Sequence, residues 1–381
     1  MSMQRPVVVY GASGYTGRLV CEYLREYHVP FIAAGRDAAR VQAVMDKIPG
    51  IETADYEVVG VEHDVKALTA LFQGAQVVCN MVGPFADYGP DAVQAALAAG
   101  CHYVDTTGEQ NWMRHAQAEW GAAFAAKGLL LAPSIAQMYT TGEIAANLCL
   151  ETPGLHTLDI LVLWKGLPTQ ASTQTIFSTL TADWYYLEDK QYKPWSVSTT
   201  FEVPVPGQHQ MAIVTPWSGT AHPVWFKDDP RVANCVALGG VFAREVMQGV
   251  KATVAMFETE IRPLPMAEQQ ARVKAIAASV QSGMPPRENP RVNVSLDSVH
   301  ASGPAGNAHC LIRGVCNYKQ TGMLQAYAAY HLLQAPPKRV GFASGCQAFG
   351  HRELLGQLQA FGLIQPPVLT VNGSVRQPQS H

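Results

Sequence analysis

The sequence VVVYGASGYTG, at residues 7–17, predicts the fold of the N-terminal third of the chain. A short apolar run, Val7–Tyr10, is followed by three glycines and then by apolar residues at helical spacing. A glycine motif between a strand and a helix is typical of dinucleotide sites. Gly11 allows the tight turn, Gly14 lets the backbone approach a pyrophosphate, and Gly17 lets the helix pack closely on the strand.

The helix that follows the glycines is predicted to bind phosphate. Its first amide groups and the positive end of its dipole would face the anion, and nearby hydroxyls would add donors. The GxxGxxG spacing is more common among NADP-type sites. The predicted cofactor contacts in this turn are Gly11, Ser13, Gly14, Tyr15, Thr16 and Gly17.

The end of the second predicted strand indicates which dinucleotide is bound. The apolar run Phe31–Ala34 is followed by Gly35 and Arg36, about 20 residues past the glycine turn, where the fingerprint has its selective residue. An acid at this corner holds the ribose 2′-hydroxyl of NAD, whereas an arginine accommodates the 2′-phosphate of NADP. Arg36 therefore predicts NADP(H) as the cofactor.

Strands and helices continue to alternate as far as residue 132, which predicts an α/β domain with a doubly wound parallel sheet, the Rossmann fold. Ligands of such sheets bind at the carboxyl ends of the strands. Further predicted cofactor contacts at those ends are Asp64, Val82, Gly83, Pro84 and Phe85. Asp64 suits a second role equally well, as the N-cap of a helix over Val65–Phe72.

From about residue 155 the predicted strands are longer and partly alternating, which indicates a second, α+β domain on a mostly antiparallel sheet. One of these predicted strands covers Val250–Ile261. The nearly uncharged stretch Val232–Val250 predicts a buried helix or a dimer contact. The alternative for this stretch is a contact with a membrane surface.

Composition excludes several classes of function. The chain has 381 residues, 48% hydrophobic and 15% charged, with a net charge of −3, so neither a disordered chain nor a nucleic-acid partner is expected. No apolar run is long enough to cross a membrane, and no metal-ligand spacing occurs. The eight scattered cysteines lack a CxxC pair, which favours reduced thiols and a cytoplasmic location.

Four motifs together carry a family resemblance: GASGYTG, AAGRD, NMVGPFADYG and AGCHYVDTTGE. In combination they resemble the saccharopine dehydrogenase-like oxidoreductases, and more narrowly their trans-acting enoyl reductase branch. The resemblance covers residues 5–135 and 318–362 and is poor between them. Ala343–Cys346 departs from the GG-x-x-TPA stretch that the family often has near this position.

The resemblance implies an N-terminal NADP-binding domain at residues 1–135 and a second α+β domain at 136–335. It also implies a C-terminal segment, 336–381, that returns to the first domain, and a homodimer. The chemistry it implies is the reduction of a C=C or C=N bond, or the reverse oxidation. The expected substrate is a small, fairly apolar organic molecule.

Two alternatives stay open at this point. GASGYTG also resembles the opening of semialdehyde dehydrogenase-like reductases, which use a catalytic cysteine, but the matching region, residues 132–139, contains none. A non-catalytic, NADP-binding scaffold is the other alternative. For an enzyme, the candidate proton donors are Tyr139, Lys165 and Asp105, each near a predicted strand end, and Asp105 suits a capping role as well.

Overall fold

A computed structural model describes residues 5–376 except 167, 197, 217–220, 280–288, 290, 305 and 373. In chain order the helices are α1 Tyr15–Glu26, α2 Ala38–Met45, α3 Val65–Phe72, α4 Phe85–Ala99, α5 Gln110–Ala126, α6 Gln137–Leu150, α7 Gln170–Ser178, α8 Ala221–Phe226, α9 Arg244–Met256, α10 Met266–Ser279, α11 Asn317–Gln334, α12 Gly345–Phe349 and α13 His351–Ala360.

The strands are β1 Val7–Tyr10, β2 Phe31–Gly35, β3 Tyr56–Gly60, β4 Val77–Asn80, β5 His102–Asp105, β6 Leu130–Ala132, β7 Thr157–Trp164, β8 Tyr185–Glu188, β9 Gln191–Pro194, β10 Phe201–Pro204, β11 Met211–Val214, β12 Asn234–Val241, β13 Val294–Gly303, β14 Gly306–Val315, β15 Gly341–Phe342, β16 Val368–Val371 and β17 Ser374–Arg376.

The described residues fall into two compact units. The first unit contains residues 5–107, 112–140 and 318–360, and the second contains 108–111, 141–317 and 361–376.

These units differ from the predicted domains at the C-terminal end of the chain. Residues 318–335 lie in the first unit, because α11 packs so closely on α1 that a Cβ on Gly322 would lie 2.7 Å from that of Leu19. Residues 361–376 lie in the second unit, because β16 pairs with β14. Within the predicted C-terminal segment, residues 336–360 lie in the first unit and 361–376 in the second.

The first unit is built on a parallel sheet with the strand order β15-β6-β5-β4-β1-β2-β3. An interior strand, β1, is fully buried, as expected for a sheet covered on both faces. The register pairs Tyr10 with Ala34 and Gly35 with Gly60, so β1, β2 and β3 end at the same edge. The predicted doubly wound sheet is confirmed.

The second unit contains a mixed sheet with the strand order β17-β16-β14-β13-β7-β12-β8-β9. Only the pair β7–β12 is parallel within this sheet as described, so the predicted mostly antiparallel sheet is confirmed. A separate hairpin, β10–β11, packs its apolar side chains on this sheet. Val205 and Val214 of the hairpin region share a core with Leu163, Leu296 and Leu311.

Two predictions for the second unit are wrong. Val250–Ile261 is not a strand: it continues α9 and ends in a π-helical turn, Phe257–Ile261. Its apolar residues Val250, Val254, Phe257 and Ile261 recur at helical spacing and pack in one core cluster. Val232–Val250 is not one buried helix, because it contains strand β12 and the first half of α9, where Val246 is 50% exposed.

Candidate functional site

The glycine turn between β1 and α1 requires glycine at two positions for different reasons. Gly11 has φ +92°, a left-handed conformation, and its N–H donates to the carbonyl of Ala34 at 2.8 Å. A Cβ on Gly17 would overlap the carbonyl oxygen of Gly11 and lie 2.9 Å from the Cα of Ala12. The first glycine is therefore needed for the turn and the last for close packing of the helix.

Gly14 is different, since it is less tightly enclosed than Gly17. It is the N-cap of α1 with ordinary φ −78°, and a Cβ there would meet only the carbonyl oxygen of Gly11, at 3.3 Å. No side chain caps α1, and its first turn contains no acidic residue. The first amide groups of α1 have no side-chain cap and lie at the positive end of the helix dipole, an arrangement that suits a phosphate group.

Arg36 follows β2 at the same sheet edge and is exposed. The neighbouring acid, Asp37, caps α2 by accepting a hydrogen bond from the N–H of Arg40 at 3.0 Å. The hydroxyl of Ser13 lies 3.8 Å from where a Cβ on Gly35 would be, which brings the glycine turn next to this strand end. These donors and the arginine suit a 2′-phosphorylated dinucleotide.

Asp64 lies at the carboxyl side of β3, as predicted, and the structure shows its capping role. Its carboxylate accepts a hydrogen bond from the N–H of Ala67 at 2.8 Å, at the start of α3.

The loop after β4 lies over the glycine turn. A Cβ on Gly11 would be 2.9 Å from a methyl group of Val82, and the N–H of Val82 donates to the side-chain oxygen of Asn80 at 2.9 Å. Gly83 and Pro84 follow, joined by a cis peptide bond, and Phe85 begins α4. The structure therefore brings the predicted residues of this loop to the same sheet edge as the turn.

A cluster that the sequence reasoning did not single out lies beside Arg36. Nδ1 of His63 is 2.7 Å from the hydroxyl of Tyr10, and the two rings stack at 6.0 Å and 11°. Tyr88 meets His63 edge-on at 5.0 Å, and Asp91 places a carboxylate oxygen 3.7 Å from Nε2. In the sequence, the one feature that points to this cluster is the position of His63, a polar residue shortly after a predicted strand.

Asp105 is fully buried and makes several hydrogen bonds. One carboxylate oxygen accepts from the N–H groups of Thr107 and Ser134, each at 2.9 Å. The other accepts from the Tyr103 hydroxyl at 3.1 Å and the Trp112 indole at 3.2 Å. Burial raises the pKa of Asp105 to about 6 despite these bonds. The arrangement suits a structural anchor that joins β5 to α5 and to the loop before α6.

Gln325 of α11 adds a second buried anchor that the sequence did not reveal. Its side-chain nitrogen donates to the carbonyls of Asp105 at 2.7 Å and Ile135 at 2.8 Å. The first carbonyl lies at the last residue of β5 and the second follows β6, so α11 is fixed to the carboxyl ends of two strands. A glutamine inside a long helix gives no sequence signal for this role.

The other two candidate proton donors lie in different units. Tyr139 lies in the first turn of α6, is 8% exposed, and belongs to the first unit. Lys165 follows β7 in the second unit and is exposed, with its N–H donating to the carbonyl of Val294 at 2.8 Å.

Within the part of the chain that the structure describes, no three His, Cys, Asp or Glu residues are placed to hold a metal ion. None of the helices described has the length and hydropathy required to span a bilayer. The eight cysteines are all buried and free. Cys149 lies inside α6, and its thiol donates to the carbonyl of Val299 at 3.7 Å.

Two family models match this chain. The model described as a family of unknown function (DUF5938) matches residues 140–373. The model described as the saccharopine dehydrogenase NADP binding domain matches residues 7–131. The second match confirms the family resemblance read from the four motifs, and it confirms NADP(H) as the cofactor of the first unit.

Similar proteins match only part of this chain. A lipid droplet localized protein of Caenorhabditis elegans is 35% identical over 122 residues, 30% of this chain and 29% of the relative. A trans-acting enoyl reductase of Mycobacterium ulcerans is 36% identical over 112 residues, 29% of this chain and 27% of the relative. A human saccharopine dehydrogenase-like oxidoreductase is 31% identical over 144 residues, 34% of each chain. Each match therefore spans about a third or less of the relative.

A solved structure resembles nearly the whole chain. Saccharopine dehydrogenase (L-Glu forming) of Saccharomyces cerevisiae aligns with a TM-score of 0.58 and 11% identity, covering 96% of this chain and 99% of that one. At this identity the likeness shows a shared fold.

Proposed function

The chain belongs to the family of unknown function DUF5938, and we propose that it is an NADP(H)-dependent oxidoreductase. The observation that carries the proposal is the uncapped start of α1 beside Arg36, within a domain that matches the saccharopine dehydrogenase NADP-binding model. The nicotinamide, when bound, supplies the hydride, while the protein supplies binding, orientation and a proton.

The first unit provides the groups that would hold the cofactor. The amides that follow Gly14 would donate to the pyrophosphate, with Ser13 and Thr16 adding hydroxyls. Arg36 would bind the 2′-phosphate through charge-assisted hydrogen bonds. Val82 and the residues after it would flank the cofactor where β4 ends.

The proposed substrate is small and fairly apolar, with a C=C or C=N bond as the reacting group. The naming of similar proteins as enoyl reductase and as oxidoreductase supports this reaction type. The aromatic content of the second unit supports the apolar preference. Trp195 contacts Tyr186 at 4.6 Å and Phe201 at 5.9 Å between ring centroids, and Phe201 is 38% exposed.

Tyr139 is the proposed proton donor. A phenol near the carboxyl end of the parallel sheet has the right chemistry to protonate an anion that develops during hydride transfer. Lys165 is the second candidate. Asp105 is the weakest of the three, because its carboxylate already accepts four hydrogen bonds inside the first unit.

The proposal is tested by incubating the protein with NADPH and a panel of enones, imines and aldehydes, and following loss of the reduced nicotinamide absorbance. Oxidation above background with an enone or imine is the expected result. NADPH binding without turnover across the whole panel would favour the scaffold alternative. Turnover confined to aldehydes, and abolished by thiol alkylation, would favour a semialdehyde dehydrogenase-like reductase, although the buried Cys149 argues against it.

The oligomeric state and the cellular location of the enzyme are also proposals. A homodimer is expected from the family resemblance, and sedimentation equilibrium of the full chain would measure it. A cytoplasmic location is supported by eight free, buried thiols. The alternative of a membrane contact is tested by liposome flotation. If the protein is absent from the floating fraction, this alternative is wrong.

A further inference from the structure

His63 follows strand β3 of the parallel sheet, and Arg36 follows the neighbouring strand β2. The register pairs Gly35 of β2 with Gly60 of β3, and the N–H of Val61 donates to the carbonyl of Gly35 at 2.9 Å. Arg36 follows the first of these glycines by one residue, and His63 follows the second by three. Both side chains therefore start from neighbouring strand ends, at the edge where the glycine turn lies.

The imidazole of His63 is held in place on two sides. Tyr10 lies at 2.7 Å from Nδ1 and stacks on the ring, while Tyr88 of α4 meets the ring edge-on. The side chain is only 16% exposed. Because burial raises the pKa of Tyr10 to about 12, its hydroxyl keeps its proton and is able to donate to Nδ1 of a neutral imidazole that carries its own proton on Nε2. The same hydroxyl oxygen accepts from Nδ1 once the ring is protonated.

The second ring nitrogen has no hydrogen-bond partner. Nε2 is buried, and the nearest acid, Asp91 of α4, is 3.7 Å away. A cationic imidazole would face this carboxylate and that of Asp64, the N-cap of α3. Glu62 precedes His63 in the same loop, so three carboxylates accompany the ring.

Without a ligand the pKa of His63 lies below its ordinary value, which favours the neutral ring. Burial lowers its pKa, Asp91 and Asp64 raise it, and the charge of Arg36 lowers it. A phosphate bound to Arg36 would cancel that positive charge and add negative charge to the same edge. The repulsion between Arg36 and protonated His63 is then replaced by attraction, while the burial of the ring is unchanged.

We propose that His63 is a specificity-determining residue for the 2′-phosphorylated cofactor and takes up a proton when the phosphate binds beside Arg36. This inference rests on the proposed function, because it requires a phosphate at that position. Linkage is reciprocal, so protonation of His63 strengthens NADP(H) binding by the factor by which the phosphate favours protonation. NAD(H), which lacks the phosphate, is bound without this effect.

The test is calorimetric titration of the full-length protein with NADP⁺ at about pH 6.5, near the ordinary pKa of histidine. Titrations in two buffers of different ionisation enthalpy give the number of protons taken up. The cofactor phosphate itself ionises near pH 6, so the quantity of interest is wild type minus His63→Gln. Glutamine can still accept from the Tyr10 hydroxyl but does not titrate. We expect wild type to take up at least about 0.3 proton more per NADP⁺ bound.

NAD⁺ is the matched ligand control, for which the two proteins should differ by less than about 0.1 proton. A second variant, Asp91→Asn, keeps the contact between Tyr10 and His63 but removes the carboxylate facing Nε2. In that variant the uptake should move to lower pH, which checks the inference even if His63→Gln does not fold.

The failures of the two proposals are distinguishable. If NADP⁺ does not bind, or if replacing Arg36 leaves its affinity unchanged, the proposed cofactor site is wrong. If NADP⁺ binds through Arg36 but wild type and His63→Gln take up equal numbers of protons, only the role of His63 is overturned. If Asp91→Asn takes up the same number of protons as wild type at every pH, the proposed role of His63 is also overturned.

Discussion

Replacing Gly14 and Gly17 by alanine, one at a time, separates the two roles assigned to glycine at the start of α1. Gly17 is a packing glycine, since its Cβ would overlap the carbonyl oxygen of Gly11 and approach the Cα of Ala12 to 2.9 Å. These are backbone atoms that cannot rotate away. Overpacking of this kind costs about 1–3 kcal/mol, so Gly17→Ala should lower the melting temperature by about 2–12 °C.

Gly14 is the proposed phosphate-facing glycine, and its Cβ would meet only the carbonyl oxygen of Gly11, at 3.3 Å. Gly14→Ala should cost about 1 kcal/mol or less of stability, the scale of an N-cap change. The added methyl group would stand in front of the amides that receive the phosphate. Losing one charge-assisted hydrogen bond costs about 1.5–3 kcal/mol, which corresponds to NADPH binding weakened by about 10- to 150-fold.

The assays are thermal unfolding without ligand and NADPH titration by fluorescence. The matched control is Gly356→Ala in α13, where a Cβ meets no atom within 4 Å and no positive φ is required. That control should gain about 0.5–1 kcal/mol of stability and bind NADPH normally. Gly14→Ala with wild-type NADPH affinity would refute the assignment of the phosphate to the start of α1.

Three further predictions concern other parts of the first unit. The pKa of the Asp105 carboxyl is raised from its ordinary value of 3.8 to about 6 in the folded protein. The folded state therefore binds this proton more tightly than the unfolded state, and the contribution of Asp105 to stability is lost as the pH rises through about 6. Between about pH 5 and about pH 7, wild type should lose about 1 kcal/mol of unfolding free energy relative to Asp105→Asn in paired denaturant titrations; parallel pH profiles would contradict this. Gly322→Ala should lower the melting temperature, since its Cβ would lie 2.7 Å from Leu19 Cβ and 3.0 Å from a backbone carbon, and an unchanged value would argue against the packing of α11 on α1. With a substrate found by the panel, Tyr139→Phe should lower kcat by about 100-fold or more while NADPH affinity stays constant, and normal turnover would eliminate the phenol as proton donor.

The alternating strands and helices of the first unit were predicted well from the sequence, because local patterns determine them. The glycine turn, the position of Arg36 and the alternating elements follow from short-range constraints on backbone and packing. Val250–Ile261 was misread because a short apolar run suits a strand or a buried helix, and only its packing against Leu180 and Trp184 decides between them. The contacts of His63 and Gln325 join residues far apart in the chain, which no local pattern specifies.

Asp105 illustrates a different limit. The sequence indicated a carboxylate at a strand end, and that is where the structure places it. Whether such a group reacts or holds the fold together depends on its neighbours. Two amides, a phenol and an indole saturate this carboxylate, and they come from β5, α5 and the loops that follow β5 and β6.

The preference for NADP(H) through Arg36 is the central claim, and it is tested most directly by the dissociation constants of NADPH and NADH for wild type and Arg36→Met. Charge-assisted bonds to the 2′-phosphate are worth about 1.5–3 kcal/mol, so wild type should bind NADPH at least about tenfold more tightly than NADH. In Arg36→Met the two constants should agree within about threefold, with NADH binding unchanged. Equal affinity of the wild-type protein for NADPH and NADH would contradict the account.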